Sequence, residues 1–396
     1  MTAQCYGGGA LGYTAPPPTW TPLLPNEALD AGATTAVSDS GDTIVVGSMG
    51  GSGVTVYVAD GSAPAFVLQA DKETGAFGAS VAITPAGDLV AAGTQASGAV
   101  LFLRKSDADN EWEKLAVLTA RAAPDAFEGA SVAFSGDGLR LAVGAPGLGQ
   151  VFVWRRESAK SLAFTFEAEL TPDGFSLSPL TQFGNALSFD GEGLTLVVGG
   201  TFTGEPGSGN GGVWVYRRVS GTHWTVQTFL GAPDSCSGSF GASVALNPAG
   251  NTFVVGSPGV QGPPDDHWKF SQPGAAYLFQ LSDGQWSETT QLSCPNMWTG
   301  SAFGAAVALR GGVAAVTAPS QHQGKTCVFE RVASGVWAYV EALDSGIPRN
   351  GTRAAFFGAS VALSLNASTL VVGAPGAQSG AGGFFAFNDA QCQVPF

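Results

Sequence analysis

The chain is poor in charge, and most of the charge it has is negative. Asp, Glu, Lys and Arg make up only 12% of its 396 residues, and 31 acidic residues outnumber 17 basic ones, which gives a formal net charge of −14. Basic residues are adjacent only in three pairs, Arg104-Lys105, Arg155-Arg156 and Arg217-Arg218. A nucleic-acid-binding protein needs a positively charged footprint, so the sequence predicts no nucleic-acid partner.

Metal-binding motifs are also scarce. The chain has five Cys and three His, and no two of the Cys form a CxxC pair. Zinc sites use closely spaced Cys and His ligands. We therefore expect no zinc site and no cofactor.

Long apolar segments are missing as well. No apolar run approaches the ~18 residues of a membrane-spanning helix, and residues 1–18 lack the basic and apolar regions of a signal peptide. We expect no membrane insertion. Neutral polar residues replace charge on much of the surface, which favours close packing against other molecules, on an extracellular surface or in a particle.

Glycine and apolar residues are abundant. The chain has 57 Gly and 23 Pro, and 44% of its residues are hydrophobic, which is enough to build a core. Short apolar segments separated by Gly-rich turns are typical of all-β proteins. No segment shows the 3.6-residue period of a surface helix.

One pattern occurs seven times along the chain. Its clearest copy, residues 357–376, is an apolar strand, a tight polar turn, a second apolar strand and a Gly-Ala-Pro-Gly exit. The copies begin at positions 31, 77, 128, 183, 240, 303 and 357. Their shared glycines are 46 to 63 residues apart, and a period near 50 with several strands per unit indicates a β-propeller.

Each unit contains four strand-like segments. In the second unit they are residues 77–84, 89–93, 99–104 and 112–118. Small side chains fill the first two segments, which we place near the propeller axis, whereas the third and fourth alternate bulky and polar residues. A Trp recurs at the start of the fourth segment, at Trp112, Trp224, Trp286 and Trp337.

The seventh unit has no fourth segment of its own, and residues 19–25 around Trp20 are similar to one. The sequence therefore predicts an all-β, seven-bladed propeller of four-stranded antiparallel blades, closed by an N-terminal strand that completes the last blade. We predict a single propeller over residues 19–389, with blade 7 shared between 19–25 and 357–388. Residues 1–18 and 390–396 are then terminal tails.

The repeat resembles the FG-GAP family, best known from the propeller of integrin α subunits. The resemblance covers residues 20 to 388. It rests on Phe-Gly-Ala-Ser-Val-Ala at 77–82, 240–245 and 357–362 and on Gly-Ala-Pro at 144–146 and 373–375. It implies a seven-bladed propeller, whereas the functions found in the family range from adhesion to sugar binding and structural roles.

Many proteins of that family hold Ca²⁺ in the turn between the first two strands, with several carboxylates at alternate positions. The corresponding turns of this chain are short and poor in carboxylates, and the richest, residues 38–43, contains Asp39 and Asp42. A hairpin turn stabilised by its own polar side chains has the same composition. We therefore do not extend calcium binding to this chain.

The segment Pro258–Pro273 concentrates the polar and aromatic chemistry of the chain, with Asp265, Asp266, His267 and Trp268 in a row. Trp298 lies on the next blade-to-blade connection, and we expect it nearby. Aromatic rings beside carboxylates suit sugar binding. The same residues equally suit a loop whose rings pack on blade 5 and hold it in place.

The five cysteines allow two disulfides. Cys236 and Cys294 lie in consecutive blade-to-blade connections, and ring closure brings the tails with Cys5 and Cys392 together. Cys327 is then a buried free thiol, and five reduced thiols are the alternative. Asn350 and Asn366 begin glycosylation sequons that matter only in a secreted chain.

Catalytic motifs are absent from the sequence. No GxSxG elbow occurs, the three His fall in different units, and Asp265 and Asp266 are adjacent in the chain and so form a poor acid–base couple. We expect a non-catalytic structural or recognition propeller that contacts other proteins. The alternative is a glycan-binding propeller that uses the loop around Trp268.

Overall fold

The chain folds into strands grouped in a ring of small sheets. The computed structural model describes residues 13–14, 31–48, 53–58, 66–68, 77–94, 98–106, 109–120, 127–172, 182–201, 211–233, 238–259, 273–333, 335–346, 355–377 and 382–389. No helix formed by these residues is long and apolar enough to cross a membrane.

Twenty-eight strands form seven four-stranded antiparallel sheets, the blades of a β-propeller. Blade 1 contains β2 Ala31–Val37, β3 Thr43–Ser48, β4 Val54–Val58 and β5 Phe66–Leu68. Blade 2 contains β6 Ser80–Ile83, β7 Leu89–Gly93, β8 Ala99–Ser106 and β9 Glu111–Leu118. Blade 3 contains β10 Ser131–Phe134, β11 Arg140–Ala145, β12 Gln150–Arg155 and β13 Thr165–Leu170. Blades 4 and 5 contain β14 Ala186–Phe189, β15 Thr195–Gly200, β16 Gly212–Ser220 and β17 His223–Gly231; β18 Ser243–Leu246, β19 Thr252–Ser257, β20 Ala275–Ser282 and β21 Gln285–Leu292. Blades 6 and 7 contain β22 Val307–Arg310, β23 Val313–Ala318, β24 Lys325–Arg331 and β25 Trp337–Leu343; β26 Ser360–Leu363, β27 Thr369–Gly373, β28 Phe384–Asp389 and, from the N-terminus, β1 Tyr13–Thr14.

An N-terminal strand completes blade 7, which confirms the predicted closure. The strand is β1, whose Tyr13 and Thr14 pair with Asp389 and Asn388 of β28. Residues 19–25, to which the sequence pattern assigned this role, lie outside the described residues. The paired segment therefore differs from the predicted one, because a strand of only two residues, Tyr13 and Thr14, has no alternating pattern from which its register could be read.

The second strand of each blade is fully buried and the third is mostly buried, whereas first strands such as β10 and β26 are half-buried. The first five residues of β16 are all buried, and so is every residue of β15. Only the fourth strands, such as β21, keep an alternating exposed pattern. The expected alternation is therefore wrong for the third strand, because the neighbouring blades cover both of its faces.

A hydrogen bond near the axis joins most neighbouring blades. A hydroxyl on the first strand of one blade donates to the carbonyl of the glycine that begins the next blade: Thr34 to Gly78, Ser80 to Gly129, Ser131 to Gly184, Ser243 to Gly304 and Ser360 to Gly32. The last of these joins blade 7 to blade 1 at 3.2 Å. Blades 4 and 6 have Ala186 and Ala306 at the hydroxyl position.

A glycine on the second strand makes this close approach possible. A Cβ built on Gly93 would lie 1.9 Å from the carbonyl oxygen of Gly129 in the next blade, and one on Gly373 would lie 1.9 Å from that of Gly32. Real Cβ atoms do not approach oxygen so closely. Blade 6 has Thr317 there instead, and its hydroxyl accepts from the backbone N–H of Ala306 at 3.0 Å.

The aromatic residue of the repeat fills the seam between blades. Phe77, Phe183, Phe240 and Phe357 are at most 1% exposed. Phe183 packs edge-on against Trp214 with ring centroids 5.1 Å apart, in a cluster with side chains of blade 3. In blade 3 the fully buried Glu128 takes the Phe position, and its carboxylate accepts from the N–H of Ala120 at 2.7 Å.

The outer seam is joined by the recurrent Trp of the fourth strand. The register of β13, β17 and β21 shifts by one residue at a β-bulge, and the residues left unpaired are Glu167, Gln227 and Thr289. The indole N–H of Trp224 donates to Glu167 at 2.8 Å, and that of Trp286 donates to Gln227 at 3.2 Å. A bulge can redirect a side chain in this way.

Glu167 is also the centre of a buried ion cluster. Its carboxylate is fully buried and accepts from Nε of Arg140 at 3.2 Å to each oxygen, while Nε of Arg155 lies 4.0 Å away. Removing one member of a buried pair leaves the other charge uncompensated. Glu167 therefore joins blades 3 and 4 and also neutralises Arg140.

The first prediction concerns closure of the ring. Gly373→Ala should destabilise the protein strongly, because the added methyl group would collide with the backbone of blade 1. Gly383→Ala in the same blade is the control, since its Cβ would meet nothing closer than 3.8 Å. We expect a clearly lower urea midpoint only for Gly373→Ala; equal midpoints would contradict the close contact.

The second prediction concerns the Glu167 cluster. Glu167→Ala should lower the free energy of unfolding by about 3–5 kcal/mol, because Arg140 loses its buried partner and Trp224 loses its acceptor. Glu113→Ala removes the exposed Lys105–Glu113 pair, whose side chains are 42% and 46% exposed, and should change stability by less than about 1 kcal/mol. Chemical denaturation of the two variants measures the difference, and similar losses would refute the role of Glu167.

Candidate functional site

The antiparallel order of the strands places two kinds of connection at opposite ends of the ring. The hairpins between strands one and two and between strands three and four lie at one end, here named the turn face. The loops between strands two and three and the blade-to-blade connections lie at the other end, here named the loop face. Blade 6 presents two such loops within the described residues, 293–302 and 319–324.

An exposed pair of rings lies on the loop face of blade 6. The side chain of Trp298 is 53% exposed. Its ring lies 3.8 Å from the imidazole ring of His322, centroid to centroid, at an interplanar angle of 58°. Trp298 is the most exposed of the Phe, Tyr and Trp residues that the structure describes, and Trp is enriched at interface hot spots, so this pair is a candidate recognition element.

A buried glutamine holds the two loops together beneath the rings. Gln321 is only 2% exposed. Its Oε1 accepts from the backbone N–H of Trp298 at 3.0 Å, and its Nε2 donates to the carbonyl of Asn296 at 3.0 Å. Both ends of the amide are thus used, which orients the Trp298 backbone relative to the His322 loop.

Backbone geometry supports the same arrangement. His322 has a φ of 54° and Asn296 a φ of 58°. Asn and His are both among the residues that tolerate this left-handed region. A turn hydrogen bond from the N–H of Gly324 to the carbonyl of Gln321, at 2.7 Å, encloses His322.

A disulfide fixes the base of the Trp298 loop. Cys294, just after β21, is bonded to Cys327 on β24, with the Cα atoms 6.2 Å apart. The predicted pair Cys236–Cys294 is therefore wrong for Cys294, and so is the free Cys327. The reason is that the connection leaving blade 5 passes directly over the third strand of blade 6.

The other predicted cysteines, Cys5, Cys236 and Cys392, lie outside the described residues. Their pairing stays a prediction. The same holds for four of the five predicted ligand-binding residues, Asp265, Asp266, His267 and Trp268, which fall in 260–272.

The described residue that follows that segment, Pro273, lies beside the Trp298 loop. The carbonyl of Pro273 accepts from Oγ of Ser301 and from the N–H of Phe303, both at 2.8 Å. On the other side, the N–H of Gly259 donates to the carbonyl of Gly238 at 3.0 Å. Pro273, the described residue that follows 260–272 in sequence, therefore lies in the same part of the loop face as Trp298.

The turn that contains Asp39 and Asp42 is stabilised by its own side chains. Oδ1 of Asp42 accepts from the hydroxyls of Ser38 at 2.7 Å and Thr43 at 3.0 Å. Burial works against ionisation of Asp42, but these bonds together with Ser40 and the charge of Arg104 lower its pKa. Burial raises the pKa of Asp39, and the nearby Arg310 opposes that rise only in part.

Metal-ligating side chains are dispersed in the part of the chain that the structure describes. There, no three His, Cys, Asp or Glu side chains come together in an arrangement that could hold an ion. The site chemistry of the described loop face is instead that of an aromatic ring, an imidazole and exposed backbone groups.

His322 and Gln321 were not singled out from the sequence. Each stands in the second-to-third-strand loop of the sixth unit, whereas Trp298 precedes that unit. A propeller brings these two kinds of loop to the same end, and this topology is the signal that could have linked His322 to Trp298.

Comparison with known proteins supports the fold and nothing finer. No family model and no curated protein matches the chain, so the FG-GAP resemblance has no support from them. Among solved structures, a chain of Kuenenia stuttgartiensis hydrazine synthase is similar with a TM-score of 0.61 and 13% identity, over 94% of this chain and 99% of that one. At that identity the likeness shows the propeller fold alone.

The third prediction concerns the support of the rings. Gln321→Ala should loosen the Trp298 loop, because it removes the acceptor of the Trp298 N–H and the donor to Asn296. Hydrogen exchange of the amides in 296–301 should become faster, with a loss of stability of only about 1–2 kcal/mol. Gln291→Ala, at an exposed position of β21, is the control. Unchanged exchange in Gln321→Ala would show that the disulfide alone holds the loop.

Proposed function

We propose that the chain is a non-catalytic recognition propeller, which contacts other proteins through the loop face of blade 6 as a component of a cell surface or a particle. The propeller fold is compatible with protein–protein interaction. The observation that carries the proposal is the exposed Trp298 ring, held against His322 above the buried Gln321.

Rigid aromatic residues are the side chains that contribute most to protein interfaces. Trp is enriched among interface residues whose truncation weakens binding by more than about 2 kcal/mol. A ring fixed in advance also loses little conformational freedom on binding. The disulfide Cys294–Cys327 and the Gln321 hydrogen bonds supply that rigidity for Trp298.

The disulfide also supports the proposed location. Stable disulfides form mainly in oxidising compartments, on secreted proteins and on cell or virion surfaces. The low charge of the chain, 12% of residues, fits a surface that packs closely against others. Both observations favour an extracellular or particle-associated protein.

The proposal includes no catalytic role. Within the described residues, His223 begins β17 at the turn face, whereas His322 lies on the loop face. These two candidate general bases are thus at opposite ends of different blades, and a shared site would need both within hydrogen-bond reach of one substrate.

Glycan binding is the second candidate function. Trp298 beside an imidazole offers a stacking face and a hydrogen-bonding group. In sequence, Asp265, Asp266, His267 and Trp268 shortly precede Pro273, whose carbonyl accepts from Ser301 of the Trp298 loop. Carboxylates and aromatic rings together suit sugar hydroxyls and sugar ring faces.

The fourth prediction separates these two functions. The experiment applies three proteins, wild type, Trp298→Ala and Leu162→Ala, to a glycan array and to the native surface or particle fraction. Leu162→Ala is the control, because Leu162 is 43% exposed on the 3–4 hairpin of blade 3. We expect a blank array and a specific cross-linked partner that Trp298→Ala reduces by at least about tenfold.

Glycan binding that disappears in Trp298→Ala would favour the second candidate. A partner retained equally by Trp298→Ala and wild type would refute the loop-face proposal. Leu162→Ala should behave as wild type throughout, because it removes an exposed apolar side chain of similar accessibility from the opposite end of the ring.

A further inference from the structure

A groove on the turn face lies between blades 5, 6 and 7, away from the loop face. Its volume is about 600 Å³, within the range of about 300–1,000 Å³ typical of ligand sites. The first-to-second-strand turns of the three blades form one wall, and the 3–4 hairpin of blade 6, with Arg331, Val332 and Trp337, forms the other.

Trp337 is the member of the recurrent Trp series whose indole N–H has no described acceptor, whereas Trp112 donates to Oδ1 of Asn110 in its own hairpin at 2.8 Å. Trp224 and Trp286 each donate the indole N–H to the bulge residue of the preceding blade. The bulge residue of blade 5 is Thr289, whose short side chain donates to the carbonyl of Leu278 at 3.1 Å instead.

The indole N–H of Trp337 therefore has no hydrogen-bond acceptor among the described residues. Trp224 and Trp286 are 9% and 8% exposed, whereas Trp337 is half-buried and lines the groove. At the same repeat position, Trp224 and Trp286 donate a hydrogen bond to the preceding blade, whereas the indole N–H of Trp337 is left without an acceptor in the described part of the chain.

Arg331 is the counterpart of two arginines that are engaged. Arg218 on β16 is opposite Trp224 and donates to the carbonyl of Gly221 at 3.1 Å, and Arg104 lies 5.8 Å from the ring of Trp112. Arg331 is opposite Trp337. It is exposed, and its guanidinium is in no ion pair with the described carboxylates.

The charge of the groove is opposite to that of the protein. Its lining contains one cation, Arg331, and no Asp or Glu, although acidic residues outnumber basic ones by 31 to 17 in the chain. A lone unpaired guanidinium in such a chain is complementary to a carboxylate.

The rim of the groove is apolar. Val332, Val336 and Leu365 are 41%, 61% and 38% exposed, and Val332 and Leu365 line the groove itself. A saccharide would need several polar groups to satisfy its hydroxyls. Asn247 and Asn366 also line the groove, but the amide of Asn247 is engaged with Asn251 and Thr252 in its own turn. An apolar side chain next to a carboxylate fits both the rim and the cation.

We propose that this groove binds an extended peptide segment of a partner protein in which a carboxylate is flanked by apolar side chains. Arg331 pairs with the carboxylate, the indole N–H of Trp337 donates to the peptide, and Val332 and Leu365 cover the apolar side chains. The site goes beyond the loop-face function, because it is at the other end of the ring from Trp298.

The experiment compares two acetylated and amidated pentapeptides, Gly-Leu-Glu-Leu-Gly and its isostere Gly-Leu-Gln-Leu-Gly, by titration calorimetry with the full chain. We expect the Glu peptide to bind about three- to fivefold more tightly, a difference of about 0.7–1 kcal/mol, because Arg331 is exposed. Arg331→Gln should abolish that difference, and Trp337→Phe should weaken both peptides.

Lys160→Gln is the matched control, because it removes the same charge from an exposed position on the 3–4 hairpin of blade 3, also on the turn face. It should bind both peptides as wild type does, and so should Trp298→Ala. The melting temperature of Arg331→Gln should equal that of wild type, since the side chain is exposed.

Equal affinity for the two peptides, an Arg331→Gln protein that still prefers the Glu peptide, or no binding at about 10 mM would each overturn the proposal. Binding of a polyuronate oligosaccharide in place of the peptides would overturn it in favour of a sugar site. Any of these results would leave the loop-face proposal standing, because that proposal depends on Trp298 and not on Arg331.

Discussion

The hydrogen bond from a first-strand hydroxyl to the glycine carbonyl of the next blade sets the distance between blades. It requires a second-strand glycine at the point of contact, because a Cβ on Gly93 or Gly373 would lie 1.9 Å from that carbonyl oxygen. The contact recurs around the axis and includes the step from blade 7 to blade 1. Seven twisted sheets can therefore pack at one repeat distance, and the buried Phe rings fill the seam that this distance leaves.

The outer seam shows what happens when the repeats diverge. Glu167 and Gln227 reach the indole N–H of the following Trp, whereas Thr289 does not. In blade 3 Phe164 takes the Trp position, and the bulge residue of blade 2 is the equally apolar Leu115, in the same cluster. The bulge residue and the residue that it meets in the next blade thus change together. At the seam between blades 5 and 6 they do not match, and the indole N–H of Trp337 is left without an acceptor among the described residues.

The fold could be predicted from the sequence because its main constraints are written in every repeat. A glycine with positive φ begins all seven repeats, and in five of them a buried Phe precedes it, so seven copies define seven blades. The closing strand was predicted in kind but not in place, since Tyr13–Thr14 has no apolar alternation to fix its register. The disulfide partner of Cys294 could not be predicted either. Disulfide pairing depends on which strand a connection crosses in the fold, and the spacing of the cysteines in the sequence does not reveal this.

The candidate site was predictable only in part, for the same reason. Trp298 stood out by its residue type and its place in a connection, but His322 and Gln321 become meaningful only when two loops of blade 6 meet. The unused donor of Trp337 is a difference between repeats, and it appears only once Thr289 is seen to turn towards Leu278.

The bond between Cys294 and Cys327 makes residues 294–327 a closed covalent loop of the polypeptide. Both Trp298 and His322 belong to that loop, as does the whole of β22 and β23. A single protease cut between them would leave two pieces that remain linked through sulfur. The two rings would therefore stay tethered to each other even in a nicked chain.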